Sequence, residues 1–169
     1  MSLAQDLMEQ AEDLAKRERT RPRQASLRRA VSASYYALFH LLNSASAATI
    51  APNVTTEVNF RIRRWFDHGE MKKVCGRFLP AQLSEPLLGL LGTSASPQLQ
   101  RVALAFIQLQ DARHSADYDL GWWITRSDAF QYIGLASDAF EAWCEIEDTS
   151  EANIFILSLL LWKNWERDR

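Results

Sequence analysis

A chain of 169 residues with 47% hydrophobic and 24% charged residues is long enough to bury a core, and its composition excludes disordered, collagen-like and disulfide-built classes. Two cysteines, Cys75 and Cys144, stand far apart with no C-x-x-C spacing and no Cys/His cluster, which predicts reduced thiols and no structural metal. The net charge of −2 hides an asymmetry, with thirteen basic residues against four acidic ones from Lys16 to Arg77 and two arginines against ten carboxylates from Asp111 to Glu151.

Such a division suits either separate surfaces for phosphate and for basic partners, or simply solvated helix faces. The first residues, MSLAQDLMEQAEDLAKRER, are amphipathic and acidic rather than leader-like, so the expected location is cytoplasmic. Apolar residues recur at helical spacing throughout, which predicts an all-α fold. Ser2 is placed to cap a first helix with Leu3, Leu7, Ala11 and Leu14 on one face, ending near Arg19 before Pro22. A second helix is expected from about Gln24 to Ala47, with Leu27, Ala30, Val31, Ser34, Ala37, Leu38 and Leu41 as its inner stripe.

Past Pro52, a third helix is expected from about Thr55 to Asp67, stopping near Gly69. A fourth covers Glu70 to Leu79, with Met71, Val74, Cys75 and Phe78 inward and Pro80 ending it. The stretch from Pro80 to Pro97 reads as a long loop, yet Leu83, Leu87, Leu88, Leu90 and Leu91 predict that it packs, with a helical turn. A fifth helix runs from Gln98 to about Ser115, with Leu99, Val102, Ala103, Phe106 and either Leu109 or Gln110 inward. Thr125 and Asp128 form a capping-box pair that starts a helix through Phe130, Ile133, Ser137, Phe140 and Trp143 to about Glu147. The last helix, about Ser150 to Arg167, is apolar nearly all round from Ile154 to Trp162 and is too short to cross a bilayer. That segment predicts a partner surface and, with it, a dimer without membrane attachment.

Phosphate-loop, dinucleotide, zincin and nucleophile-elbow motifs are absent from the sequence, and the three histidines His40, His68 and His114 are dispersed. No metal and no cofactor are therefore expected. Two constellations remain. In RRAVSASYYALFH, Arg28 to His40, Tyr35 and Phe39 share one helix face while Tyr36 and His40 share another at i,i+4. A phenol can then hydrogen-bond the imidazole along the helix surface, or the segment is a buried aromatic seam with satisfied polar tips. In DARHSADYD, Asp111 to Asp119, Arg113 reaches Asp117 at i,i+4, and His114 reaches Asp117 and Tyr118. That set holds a planar cation for phosphate, an imidazole to move a proton and a carboxylate to fix its tautomer, or else an ion pair that closes the helix end.

Together, RRAVSASYYALFH and LQDARHSADYD resemble the HEPN superfamily of nucleotide-binding helical domains, in particular bacterial members with an R-x-x-x-S-x-Y-Y helix and an R-x-x-A-D-Y helix. The likeness covers roughly Ala4 to Trp143. It implies a single domain over 1–169, a HEPN-like up-and-down helical bundle through about 147 with an extra C-terminal helix at 150–167. Many HEPN proteins are metal-independent ribonucleases whose R-x(4–6)-H motif meets its copy across a two-fold dimer cleft, so the resemblance implies a homodimer that binds RNA or nucleotide phosphate. Attack by an RNA 2′-hydroxyl would use Arg113 for charge and a histidine as acid or base. Five residues after Arg113 stands Tyr118, where the shorter motif has histidine, and tyrosine at a pKa near about 10 is a poor proton shuttle. The candidate set is therefore Arg113, His114, Asp117 and Tyr118, with Tyr36 and His40 as cleft lining and His114 standing in for the missing imidazole. A formal R-x(4)-H from Arg63 to His68 lacks the surrounding pattern. The same resemblance implies a bacterial toxin–antitoxin or defence setting with a nucleotidyltransferase-type antitoxin as partner. The alternative is a non-catalytic scaffold module in which both segments only hold the fold together.

Overall fold

The computed structural model describes residues 2–50, 53–79, 83, 85–92 and 94–165, with backbone alone for 85, 86 and 163–165. Among these residues all regular structure is helical, as the spacing of apolar residues predicts. The helices are α1 (Leu3–Lys16), α2 (Gln24–Ile50), α3 (Thr56–Arg63), α4 (His68–Arg77), α5 (Glu85–Leu91), α6 (Pro97–Tyr118), α7 (Arg126–Ile146) and α8 (Ser150–Trp165). They form two compact units. The first comprises Met1–Leu41 with Ala105–Glu141, and the second Leu42–Leu104 with Ala142–Arg169.

The helix ends follow local chemistry. Ser2 caps α1 through Gln5 N–H, and the Gln5 side chain returns a bond to Ser2 N–H, a reciprocal box that satisfies two amide donors. The box expected at Thr125 is present: Thr125 N–H and hydroxyl donate to Asp128 Oδ2, each at 2.8 Å, and Asp128 N–H donates to Thr125 Oγ1 at 3.2 Å. Asp67 does not close α3, which ends at Arg63. It caps α4 instead, accepting from Glu70 N–H at 2.9 Å, so α4 begins at His68 and Gly69 lies inside its first turn. Within the expected loop, α5 forms and is stopped by Gly92, whose φ of 70° is in the left-handed region that glycine tolerates best. The expected breaks at Pro52 and Pro80 and the end of α8 at 166–167 lie outside the described residues.

In the first unit the core is built largely of small residues. Ala11, Ala15, Ala30, Ala33, Ala112, Ala116 and Ala129 are buried with Leu27, Val31, Ile124 and Ile133. Side chains this small let helix axes approach closely. The face of α1 differs from expectation: Ala4, Ala11 and Ala15 are buried, Leu7 and Leu14 are half-buried and Leu3 is exposed. Alanines fit the tight contact, and the leucines are displaced to its edges. On α2 the expected stripe is buried except that Leu42, not Leu41, takes the last inner position.

The second unit has a larger-residue core. Met71, Val74, Cys75 and Phe78 of α4 point inward as expected, and the Phe78 ring meets Phe155 edge-on at 5.0 Å. α8 packs on α4 and α5. No residue from Ile154 to Trp162 is fully exposed, and Phe155, Ile156, Leu159 and Trp162 are buried. Much of the apolar circumference read as a partner surface is thus covered within this unit. Among the described residues no helix is long and apolar enough to cross a membrane.

Candidate functional site

α6 continues to Tyr118, three residues past the expected end near Ser115, and this extra turn arranges the site. Asp119 N–H bonds to the Ser115 carbonyl at 3.0 Å, and the Asp119 carboxylate then accepts Gly121 N–H at 2.8 Å to turn the chain. Arg113 and Asp117 consequently lie one turn apart on the same face. That face meets α2, where Arg28, Ser32 and Tyr36 follow one another every four residues. Arg28 donates to the Ala116 carbonyl at 3.4 Å, Ser32 Oγ donates to Asp117 Oδ1 at 2.8 Å and Tyr36 Oη accepts from Arg113 at 2.8 Å. Three successive turns of α2 thus meet the last two turns of α6 through a polar ladder.

The structure brings Arg113, Asp117, Tyr118 and Tyr36 together as one cluster. Arg113 Nε lies 2.8 Å from Asp117 Oδ2, with the two side chains 23% and 17% exposed. This is an ion pair by distance, but the Nε–H is not aligned for a hydrogen bond. The guanidinium carbon sits 5.4 Å from the Tyr36 ring centre and 5.6 Å from that of Tyr118, within cation–π range of both. Burial opposes the Arg113 charge, yet Tyr36, Asp117 and Tyr118 outweigh it and hold Arg113 above the ordinary arginine value. Within the chain its charge is shared by Asp117 and Tyr36.

His114 is exposed and tilts against the Tyr118 ring at 5.1 Å. Among the described residues its imidazole makes no hydrogen bond. The expected orienting carboxylate is engaged elsewhere, because Asp117 serves Ser32 and Arg113 and lies 3.9 Å from Arg29. Tyr118 is 63% exposed. His40 is half-buried, one turn beyond Tyr36, with its ring edge-on to Phe39 at 5.3 Å. Tyr35 is fully buried among Tyr36, Phe39 and Phe106, which is the aromatic seam weighed for this helix. Arg63 ends α3 and His68 starts α4, so the formal R-x(4)-H is divided between two helices.

Three residues important to this site were not among the candidate site residues, although Arg28 and Arg29 open the motif RRAVSASYYALFH. Arg28 and Arg29 line a depression of about 390 Å³ with Ala25, Ala116, Asp117 and Tyr118. Gln24 bonds both backbone groups of Ile124, donating to its carbonyl at 2.7 Å and accepting its N–H at 3.1 Å. Arg28 also donates to the Trp122 carbonyl. The available signal was the four-residue recurrence of Arg28, Ser32, Tyr36 and His40 on an otherwise apolar helix. The literal R-x-x-x-S-x-Y-Y spacing is not met, since one more residue separates Ser32 from Tyr35. Among the described residues no group of three or more His, Cys, Asp or Glu is placed to hold a metal ion. Neither a family model, nor a curated protein, nor a solved structure matches this chain.

Proposed function

We propose that this chain is a HEPN-like helical domain that binds the phosphates of RNA or a nucleotide, and that it acts by binding rather than by cleavage. One observation carries the reading. The depression beside the end of α6 is lined by Arg28 and Arg29, while its lining carboxylate, Asp117, is already paired with Arg113. Arg28 is bonded to carbonyl oxygens, which orient a guanidinium without cancelling its charge. Arg29, 3.9 Å from the Asp117 carboxylate that Arg113 shares, keeps 70% of its side chain exposed. The local field is therefore positive and open to an anion.

In this reading Arg113 is a positioning residue. It fixes Tyr118, and Tyr118 carries the exposed His114 beside it. Cleavage lacks support because the motif histidine is replaced by Tyr118 and His114 has no hydrogen-bonded carboxylate. A homodimer that brings two such depressions together, a cytoplasmic setting and an antitoxin-type protein partner belong to the same proposal.

The test is RNA binding by the purified chain in EDTA, followed by fluorescence anisotropy at several salt concentrations. The expected result is binding that weakens steeply with salt and drops on Arg29→Ala, without strand cleavage. RNA affinity unchanged by Arg29→Ala, or no RNA binding at all, overturns the reading in favour of a scaffold module. Arg113→Ala does not separate the two, because it loosens the helix pair in either case.

A further inference from the structure

We infer that the turn joining α6 to α7 is a stacking platform for unpaired nucleobases, so that the nucleic acid taken by this site is single-stranded. The inference rests on the phosphate-binding reading above and names its substrate class.

The Trp123 side chain is 78% exposed and makes no ring contact within the described residues. Its neighbours are anchored. Ile124 is buried, and the Trp122 ring packs against Tyr132 at 6.3 Å and near the Arg28 guanidinium at 6.0 Å. The turn itself is pinned from both sides, by the two Gln24 bonds to Ile124, by Arg28 on the Trp122 carbonyl and by Asp119 on Gly121 N–H. Trp123 is therefore held out on rigid backbone, and little ordering is left to be done when a ligand covers it.

The residues that hold the turn point to the occupant. One residue away Arg28 grips the turn, and next to Arg28 the exposed Arg29 lines the depression that ends at Tyr118, a second exposed ring. Cations for a sugar-phosphate backbone on the segments that hold this turn, together with exposed aromatic rings at 118 and 123, match an unpaired strand, whose bases offer π-faces that a duplex keeps stacked inside. The alternative occupant, a protein or a second copy, would use Leu120 as well, which is also exposed. Here, however, Asp119 and Gly121 separate the apolar side chains, and Arg28 and Arg29 supply cations that a phosphate, not an apolar partner, would use.

The experiment titrates the full chain against fluorescein-labelled oligouridylate and against the same strand in duplex with oligoadenylate. Single-stranded RNA is expected to bind at least several-fold more tightly than duplex. Trp123→Ala is expected to weaken single-strand binding by roughly five- to a hundred-fold, the loss of one stacked base, with an unchanged salt slope. Trp123→Phe restores most of the affinity, and circular dichroism verifies that each variant is folded. Equal affinity for both forms, or no effect of Trp123→Ala while Arg29→Ala still weakens binding, sinks the stacking inference and leaves phosphate binding standing. Failure of the wild-type chain to bind either RNA removes both. A change of oligomeric state on Trp123→Ala with RNA affinity intact assigns the turn to a protein contact and likewise overturns the inference.

Discussion

Ser32, a residue only 2% exposed, donates its hydroxyl to Asp117 Oδ1 at 2.8 Å, across 85 positions of the chain. A buried donor on a carboxylate contributes more than a neutral hydrogen bond, about 1.5–3 kcal/mol. Ser32→Ala is expected to lower unfolding free energy by about 1–3 kcal/mol, read as a reduced urea midpoint. A midpoint unchanged from wild type would show that the ladder is held without this rung.

Arg113 and Arg29 should separate stability from binding. Removing the half-buried Arg113 leaves Asp117 and Tyr36 without their shared cation, and Arg113→Ala should cost about 1–3 kcal/mol. Arg29 is largely exposed and 3.9 Å from Asp117, so Arg29→Ala should stay within about 0.5 kcal/mol of wild type. Urea denaturation of both variants checks the contrast, and equal losses would contradict it.

The alanine-rich core predicts intolerance to size rather than to polarity alone. Ala30 is fully buried among Ala11, Ala15, Ala33 and Ala116, where extra methylenes must push helices apart. Ala30→Leu should destabilise by about 1–3 kcal/mol, whereas the same change at the exposed Ala48 should be nearly silent. Thermal melts of the two variants make the comparison.

Acid should loosen the two links that frame α2 and α7. A hydrogen bond from Ser26 lowers the Glu18 carboxyl, burial opposes this, and the Arg23 N–H and the charges of Arg23 and Arg17 lower it further. Asp128 is lowered by the Thr125 N–H and then by the Thr125 hydroxyl. Because both folded values are depressed, their stabilisation is fully present above the ordinary carboxylate range, roughly pH 4 to 4.5, and is lost as pH falls through the folded values. Melting temperature should therefore fall below about pH 4.5, and Glu18→Gln together with Asp128→Asn should flatten that fall. An undiminished pH dependence in the double variant would place the acid sensitivity elsewhere.

The two cysteines should differ in reactivity. Burial pushes the Cys75 thiol well above its ordinary value, and Cys144 is exposed. Iodoacetamide at neutral pH is expected to label Cys144 in the native chain and Cys75 only after denaturant is added. Mass spectrometry of the labelled peptides distinguishes the sites, and early labelling of Cys75 would contradict its burial.

The helical class and most inner positions were legible because burial writes a 3.6-residue period into the sequence, as in Met71, Val74, Cys75 and Phe78. The Arg113–Asp117 pair was legible for the same reason, since i,i+4 spacing fixes neighbours on one helix. Partners across helices were not. Nothing in the spacing of α6 says that Asp117 will meet Ser32 and not His114, or that Tyr36 will share Arg113. The inner face of α1 was misassigned because hydrophobicity ranks leucine above alanine, while close helix packing selects for smallness. The early start of α4 at His68 was hidden by Gly69, which reads as a stop and sits instead in a first turn held by Asp67.

The first unit joins residues 1–41 to residues 105–141, and its polar ladder ties Tyr36 to a residue 77 positions later. Closing a loop of that length costs about 4 kcal/mol in chain entropy before any rung can form. During synthesis the opening helices must wait at the ribosome, their alanine seam uncovered, until the strip carrying Arg113, Asp117 and Ile124 has emerged. Folding of this half is therefore expected to be a late, cooperative event. A nascent chain halted before Ile124 should be digested readily by protease across residues 1–41, even though every one of those residues has already been made.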